Sequence, residues 1–197
     1  MDILLGIPHG MCAKIQLKKE VSLSLSLILM LMDKTLILTA AQMDQKLERI
    51  AHEIHEVCYQ EQEIIICAIQ GNGDIIAEQV AKLLKEISDI KPVLCHIKMD
   101  KKNPIKTESL LDIGPDLYKN KTIIVIDDVS NSGKTLMYAI KHFLAEPVSS
   151  IKTLVLVDRN HNRYPVQADF VGLTISTTLK EHIEVIMKGK EKGVYLK

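Results

Sequence analysis

From Thr39 onward the chain alternates between two kinds of apolar pattern. Met43, Leu47, Ile50, Ile54 and Val57 recur at helical spacing within residues 40–59, and Thr39 stands where an N-cap belongs. The pattern then changes to a continuous β-branched run from Glu63 to Ile69, which predicts a strand buried on both faces of a parallel sheet. Gln70-Gly71-Asn72-Gly73 reads as a loop, and Asp74 opens a second amphipathic helix through about Ile87. Strands are predicted over 92–98, 121–127 and 151–157, and a helix over 133–145 that ends before Pro147. A polar crossing, 158–167, leads to a strand about Phe170 and a last one from Ile183 to Met187. Residues 99–116 are polar and without periodicity, and a loop that long inside one domain predicts a lid. Strands alternating with helices predict an α/β fold with a doubly wound, mostly parallel sheet. Ligands of such sheets sit beyond the carboxyl ends of the strands, where loops 70–73, 99–116, 127–135 and 158–161 would converge.

The first thirty-odd residues do not share this order. Val21 to Met32 is an apolar stretch of twelve residues behind Lys18, Lys19 and Glu20. It is shorter than the ~20 residues that a membrane helix needs. The basic flank resembles a secretion signal, but no small-x-small cleavage site precedes Asp33-Lys34, and Glu20 interrupts the flank. Residues 1–31 are therefore expected to be an accessory or misassigned extension, and residues 32–197 one folded domain.

Composition removes several functions. Twenty-five basic and 25 acidic side chains cancel, so no global field recruits nucleic acid or a membrane surface. No Trp and only two Phe leave few platforms for stacking bases. Cys12, Cys58, Cys67 and Cys95 have no CxxC spacing, which argues against zinc and for a reducing, cytoplasmic setting. Cys67 and Cys95 fall within predicted strands, where a thiol packs as a small hydrophobe.

The chemistry concentrates in Thr122 to Leu136, TIIVIDDVSNSGKTL. An apolar strand ends there in two aspartates and a small polar turn that closes on Gly-Lys-Thr. Adjacent carboxylates can grip a vicinal diol, and a turn of free N–H groups at a helix N-terminus can cradle a phosphate. Gly-Lys-Thr also closes the nucleotide-triphosphate P-loop, but that motif needs glycine where Asp128 stands. A plain strand–helix cap could end in acids as well, yet Ser130-Asn131-Ser132-Gly133 is richer than a cap requires.

The run resembles the phosphoribosyl-pyrophosphate (PRPP) motif of the type I phosphoribosyltransferases. Leu47–Ile54 and Leu156–Gly172 are similar to segments of the pyrimidine-operon attenuation proteins that are also uracil phosphoribosyltransferases. The likeness spans roughly residues 36–190. It implies a type I phosphoribosyltransferase-like sheet with a small hood region, in a domain covering 32–197. It further implies transfer of phosphoribose from PRPP to a nucleobase, uracil first, with pyrophosphate released. Asp127 and Asp128 would bind the ribose hydroxyls. Val129, Ser130, Asn131, Ser132, Gly133, Lys134 and Thr135 would hold the 5′-phosphate. Gln70, Gly71, Asn72 and Gly73 would form the pyrophosphate loop, and Lys101 and Lys102 would belong to the lid. Arg159 would join Asp127 and Asp128 in the catalytic set, near the base and pyrophosphate. Mg2+ would arrive with PRPP and have no direct protein ligand. A homo-oligomer is expected, and RNA is the implied macromolecular partner.

Departures from the family pattern qualify this. Where the pyrophosphate loop typically reads Thr-Arg-Gly, this chain has Gly71-Asn72-Gly73, and a cation is missing. The lid's usual Tyr-Arg-Asp-Asp is Asp100-Lys101-Lys102-Asn103, which offers charge without a bidentate fork. Arg49 and His52 match basic positions on the family's first helix, but two expected arginines are replaced by Asn162 and Gln167, with Arg163 one place away. Their loss argues against strong RNA binding. The alternative reading is a regulator of pyrimidine genes that senses PRPP or a nucleotide, with weak or no catalysis.

Overall fold

The structure, a computed structural model, describes residues 34–101, 103–104, 110–178 and 181–197. The expected extension over 1–31 and Lys102 lie outside these residues. The elements run β1 (Thr35–Thr39), α1 (Ala40–Val57), β2 (Glu63–Ile69), α2 (Asn72–Ile87), β3 (Lys91–Lys98), β4 (Leu110–Leu111), α3 (Pro115–Tyr118), β5 (Thr122–Ser130), α4 (Lys134–Phe143), β6 (Ser150–Asp158), β7 (Phe170–Thr174), β8 (Ile183–Ile186) and β9 (Gly193–Leu196).

Thr39 caps α1 as its sequence predicts. Its hydroxyl accepts the Gln42 N–H at 3.2 Å while the Gln42 side chain accepts the Thr39 N–H at 2.9 Å, a reciprocal capping box. The stripe Met43, Leu47, Ile50 and Ile54 is buried; Val57, counted with it, is exposed at the helix end. The second helix starts two residues before Asp74. The Asp74 carboxylate accepts the Gly71 N–H at 2.9 Å, which lets Asn72 and Gly73 enter the first turn. Residues 99–116 are not wholly loop: Leu110 and Leu111 pair antiparallel with Lys98 and Ile97, and α3 opens on Pro115.

The main sheet has the order β4-β3-β2-β5-β6-β7, parallel except for β4. From β2 the chain moves outward to β3, then returns to the other side of β2 to lay down β5, β6 and β7. The order therefore reverses between β2 and β5, and a crevice forms beyond their carboxyl ends. Each central strand is buried on both faces. Ile64, Ile66 and Ala68 pack with α1 and α2, while Ile65, Cys67 and Ile69 pack with α4 and Tyr118. Cys67 and Cys95 are wholly buried partners in register, and both are free thiols.

The hood is a separate three-stranded antiparallel sheet in the order β1-β9-β8. Its strands β1 and β9 carry no signal in the periodicity, because each is only four or five residues long and its partner lies at the other end of the chain. Leu38, Ile183, Val185 and Val194 join the same apolar cluster as α1 and α2, so the hood sits on the main body. Among the described residues, no helix is long and apolar enough to cross a membrane.

Candidate active site

Strand β5 carries the acids to the crevice. It extends further than its apolar run predicts, through Ser130, because Val129 and Ser130 still pair with Val157 and Asp158 of β6. The backbone then turns at Gly133, whose φ of 73° is left-handed, and α4 begins at Lys134. A side chain on Gly133 would strain that turn and would stand 3.3 Å from the Val166 carbonyl. The turn is held from outside by the crossing loop, since the Arg163 and Tyr164 N–H groups both donate to the Ser132 carbonyl, at 3.0 and 3.1 Å. That bracing is backbone-mediated, so no side-chain pattern announces it.

A cleft of about 190 Å3 opens between Lys101, Asp127 and the turn Val129–Leu136. Almost the whole sequence-predicted phosphate set lines it, with the positive end of α4 facing the same space. Asp128 lies beside it and is turned toward Asn72, whose Nδ2 donates to Asp128 Oδ2 at 2.8 Å and to the Val185 carbonyl at 2.9 Å. Gly73 lets this first turn approach β5: a Cβ there would meet the Ile126 carbonyl at 3.0 Å.

Lys101, predicted for the lid, reaches the acids directly. Its Nζ stands 2.8 Å from Asp127 Oδ1 and 3.7 Å from Asp128 Oδ1. The two acids titrate differently in this setting. Burial pushes Asp127 up to about 7, with Lys101 opposing and Asp128 reinforcing the rise. Burial acts on Asp128 in the same sense, but Lys101, the Asn72 amide, Asp127 and the Val129 N–H outweigh it and hold Asp128 below its usual value. For Lys101 burial alone would lower the ammonium, and the two carboxylates overcome this and raise it. One acid is thus held as a firm anion while its neighbour is poised near neutrality.

Arg159 is placed differently from the phosphate residues. Its guanidinium is buried and donates to Thr177 Oγ1 at 2.9 Å and to the carbonyls of Thr178 and Glu181 at 3.1 and 2.7 Å. It fastens the segment before β8. Together with Asn131, Ser132, His161 and Arg163 it lines a second polar hollow of about 280 Å3 on the other side of the turn. Asn162 and Gln167 are exposed. Arg49 pairs with Glu53 and donates to the Val171 carbonyl at 2.6 Å, tying α1 to the edge strand β7. His96 pairs through Nδ1 with Asp74 Oδ1 at 2.8 Å, so it braces the acid that caps α2. Gln70 is exposed at the end of β2.

Among the described residues no group of three or more His, Cys, Asp or Glu could enclose a metal. Two adjacent carboxylates fit a magnesium ion that takes most of its ligands from phosphates and water.

Comparison with known proteins agrees with this geometry. The model of the phosphoribosyl transferase domain matches residues 35–188. The chain is 33% identical over 167 residues to the Bifunctional protein PyrR of Clostridium novyi, covering 78% of this chain and 90% of that one. It is 32% identical over 162 residues to that of Fusobacterium nucleatum, covering 77% and 92%. Among solved structures, the Trypanosoma cruzi hypoxanthine phosphoribosyl transferase superposes with a TM-score of 0.64 at 16% identity, over 73% of this chain and 78% of that one. A hypoxanthine-guanine phosphoribosyltransferase from Bacillus anthracis gives 0.60 at 21%, over 73% and 84%. These likenesses are to the fold. With the matched domain covering most of its length and the crevice built as described, the chain belongs to the phosphoribosyltransferase family.

Proposed function

We propose that this protein transfers the 5-phosphoribosyl group of PRPP to a nucleobase, with uracil the first candidate. The observation that carries the reading is the cleft itself, in which Asp127, the turn 129–135 and the N-terminus of α4 face one space. The 5′-phosphate would lie in the turn, receiving N–H groups of the first turn of α4 and the hydroxyls of Ser132 and Thr135. The ribose hydroxyls would meet Asp127 and Asp128, taking the place now held by Lys101. In the reaction the C1′–oxygen bond to pyrophosphate breaks, the C1′–nitrogen bond to the base forms, and the proton of that nitrogen leaves to solvent. Positive charge develops on the sugar ring as the first bond lengthens, and the fixed anion of Asp128 stands nearby to stabilise it. Lys101, displaced from the acids, would remain within reach of the departing anion, and a closed lid would exclude water.

Mg2+ bound with PRPP would neutralise the pyrophosphate, with Asp127 and Asp128 touching it through water. A cytoplasmic enzyme of nucleotide salvage is the setting this chemistry suits. The choice of uracil rests on the resemblance of Leu47–Ile54 and Leu156–Gly172 to the uracil-transferring attenuation proteins, while the hypoxanthine enzymes among the structural neighbours keep purines in the test.

Incubation with PRPP, Mg2+ and radiolabelled uracil, hypoxanthine or guanine decides the matter. Labelled UMP is the expected product; absence of a nucleotide with any base overturns the reading. Asn72 favours a second reading, a PRPP sensor without turnover, because it leaves the pyrophosphate loop without a cation. Tight PRPP binding by calorimetry with no product would select it.

A further inference from the structure

Asn72 does more than vacate a cationic position. An amide nitrogen has two hydrogens, and here both are placed, one on Asp128 Oδ2 at 2.8 Å and one on the Val185 carbonyl at 2.9 Å. The first acceptor belongs to the acid pair on β5 and the second to hood strand β8. The hood also rests on the main body through apolar side chains such as Leu38, Ile183 and Val194, through the Lys192–Asp44 ion pair at 2.6 Å at its β8–β9 turn, and through Arg159 on the segment before β8. Asn72 alone among these contacts joins a hood strand directly to the acid pair. We infer that Asn72 is a positioning residue that locks the hood to Asp128, so that one side chain sets both the seat of the hood sheet and the orientation of a sugar-binding carboxylate.

The two oxygens of Asp128 show how the lock serves the site. Oδ2 is held by Asn72, while Oδ1 faces Lys101 at 3.7 Å beside Asp127 Oδ1. When a diol takes the place of Lys101, the oxygens facing the ammonium become available and the Asn72 bond remains. Asp128 is then presented with one oxygen toward the sugar and without rotation. Displacing the hood would break the Val185 bond and release the same amide from its fixed orientation, so hood position and sugar affinity are coupled. The coupling rests on the reading of Asp128 as a ribose ligand; the hood attachment does not.

Charged groups around the lock are few enough to follow. Asp127 and Lys101 face Asp128, Asp74 on α2 is paired with His96, and Glu184 on β8 is paired with Lys34 and Lys197.

Three variants of the full chain test this: Asn72→Ala, Asn72→Asp, which keeps the shape but loses the donors, and Asn72→Ser, which keeps a single donor. Hydrogen exchange needs no ligand. Amides of Ile183–Ile186 are expected to exchange about tenfold faster in Asn72→Ala and Asn72→Asp, with α1 unchanged and Asn72→Ser between. Calorimetric titration with PRPP and Mg2+ at pH 7 is expected to show about tenfold weaker binding in Asn72→Ala and Asn72→Asp, with Asn72→Ser between. Unchanged β8 exchange together with unchanged PRPP affinity in both Asn72→Ala and Asn72→Asp overturns the inference. If the unmodified protein fails to bind PRPP, the sugar reading falls, and β8 exchange still decides the lock.

Discussion

Asp127 is a carboxylate placed where a carboxylate is expensive. It is 2% exposed, and burial raises it to about 7 even with an ammonium 2.8 Å away. An unfolded Asp titrates near ~4, so between about 4 and 7 the native state keeps a proton that the unfolded chain has lost. The native state is favoured most below the unfolded value. Its stability falls as pH rises toward 7 and then levels off, the reverse of the usual salt-bridged acid. Asp127→Asn, neutral throughout, is expected to match the parent near pH 4 and to be more stable by ~2–4 kcal/mol at pH 8 in urea denaturation. PRPP binding should be lost at the same time. A stability gap that stays constant with pH would contradict the raised titration. The paired acids themselves are legible from adjacency in the chain. Their unequal titration is not, because it depends on Lys101 and Asn72 arriving from two other segments.

At the scale of elements, the phosphate turn is the part most fully written in local sequence. Its strand, acids, turn and helix are contiguous, so each piece is read from its neighbours. Gly133 is the position where the turn tolerates no change. Gly133→Ala is expected to cost ~1–2 kcal/mol from the left-handed backbone and to weaken PRPP binding more than tenfold. Thermal denaturation and calorimetry measure the two effects, and unaltered affinity would show that the turn does not hold the phosphate. The start of α2 was harder to read. Gly71-Asn72-Gly73 has the composition of a loop, and helix propensity places its first turn after it. Asp74 reverses that preference by accepting the Gly71 N–H, and His96 holds Asp74 from β3. A side chain from a neighbouring strand thus decides where a helix begins.

Across the molecule, the crevice follows from the order of strands. The reversal between β2 and β5 gathers 70–73, 127–135 and Lys101 on one rim, and the loop after β6 closes it from the side. The hood depends on pairing between chain ends, Thr35 with Leu196, and its first strand begins just after Lys34. A chain starting at Met32 is therefore expected to melt within ~1 °C of the full chain and to bind PRPP equally. A drop of several degrees would make residues 1–31 part of the fold. The alternation of buried strands with amphipathic helices was enough to establish a doubly wound α/β chain, and the Asp-Asp-to-Gly-Lys-Thr run was enough to mark the turn that lines its cleft, because both are periodic or contiguous signals. Tertiary contacts alone decided the hood sheet, the ammonium on Asp127, the guanidinium of Arg159 on the Thr177 hydroxyl and the Thr178 and Glu181 carbonyls, and the Asn72 bridge. Each of those joins residues far apart in the chain through one to three directional hydrogen bonds or a short strand pairing, and neither spacing nor composition records such a meeting.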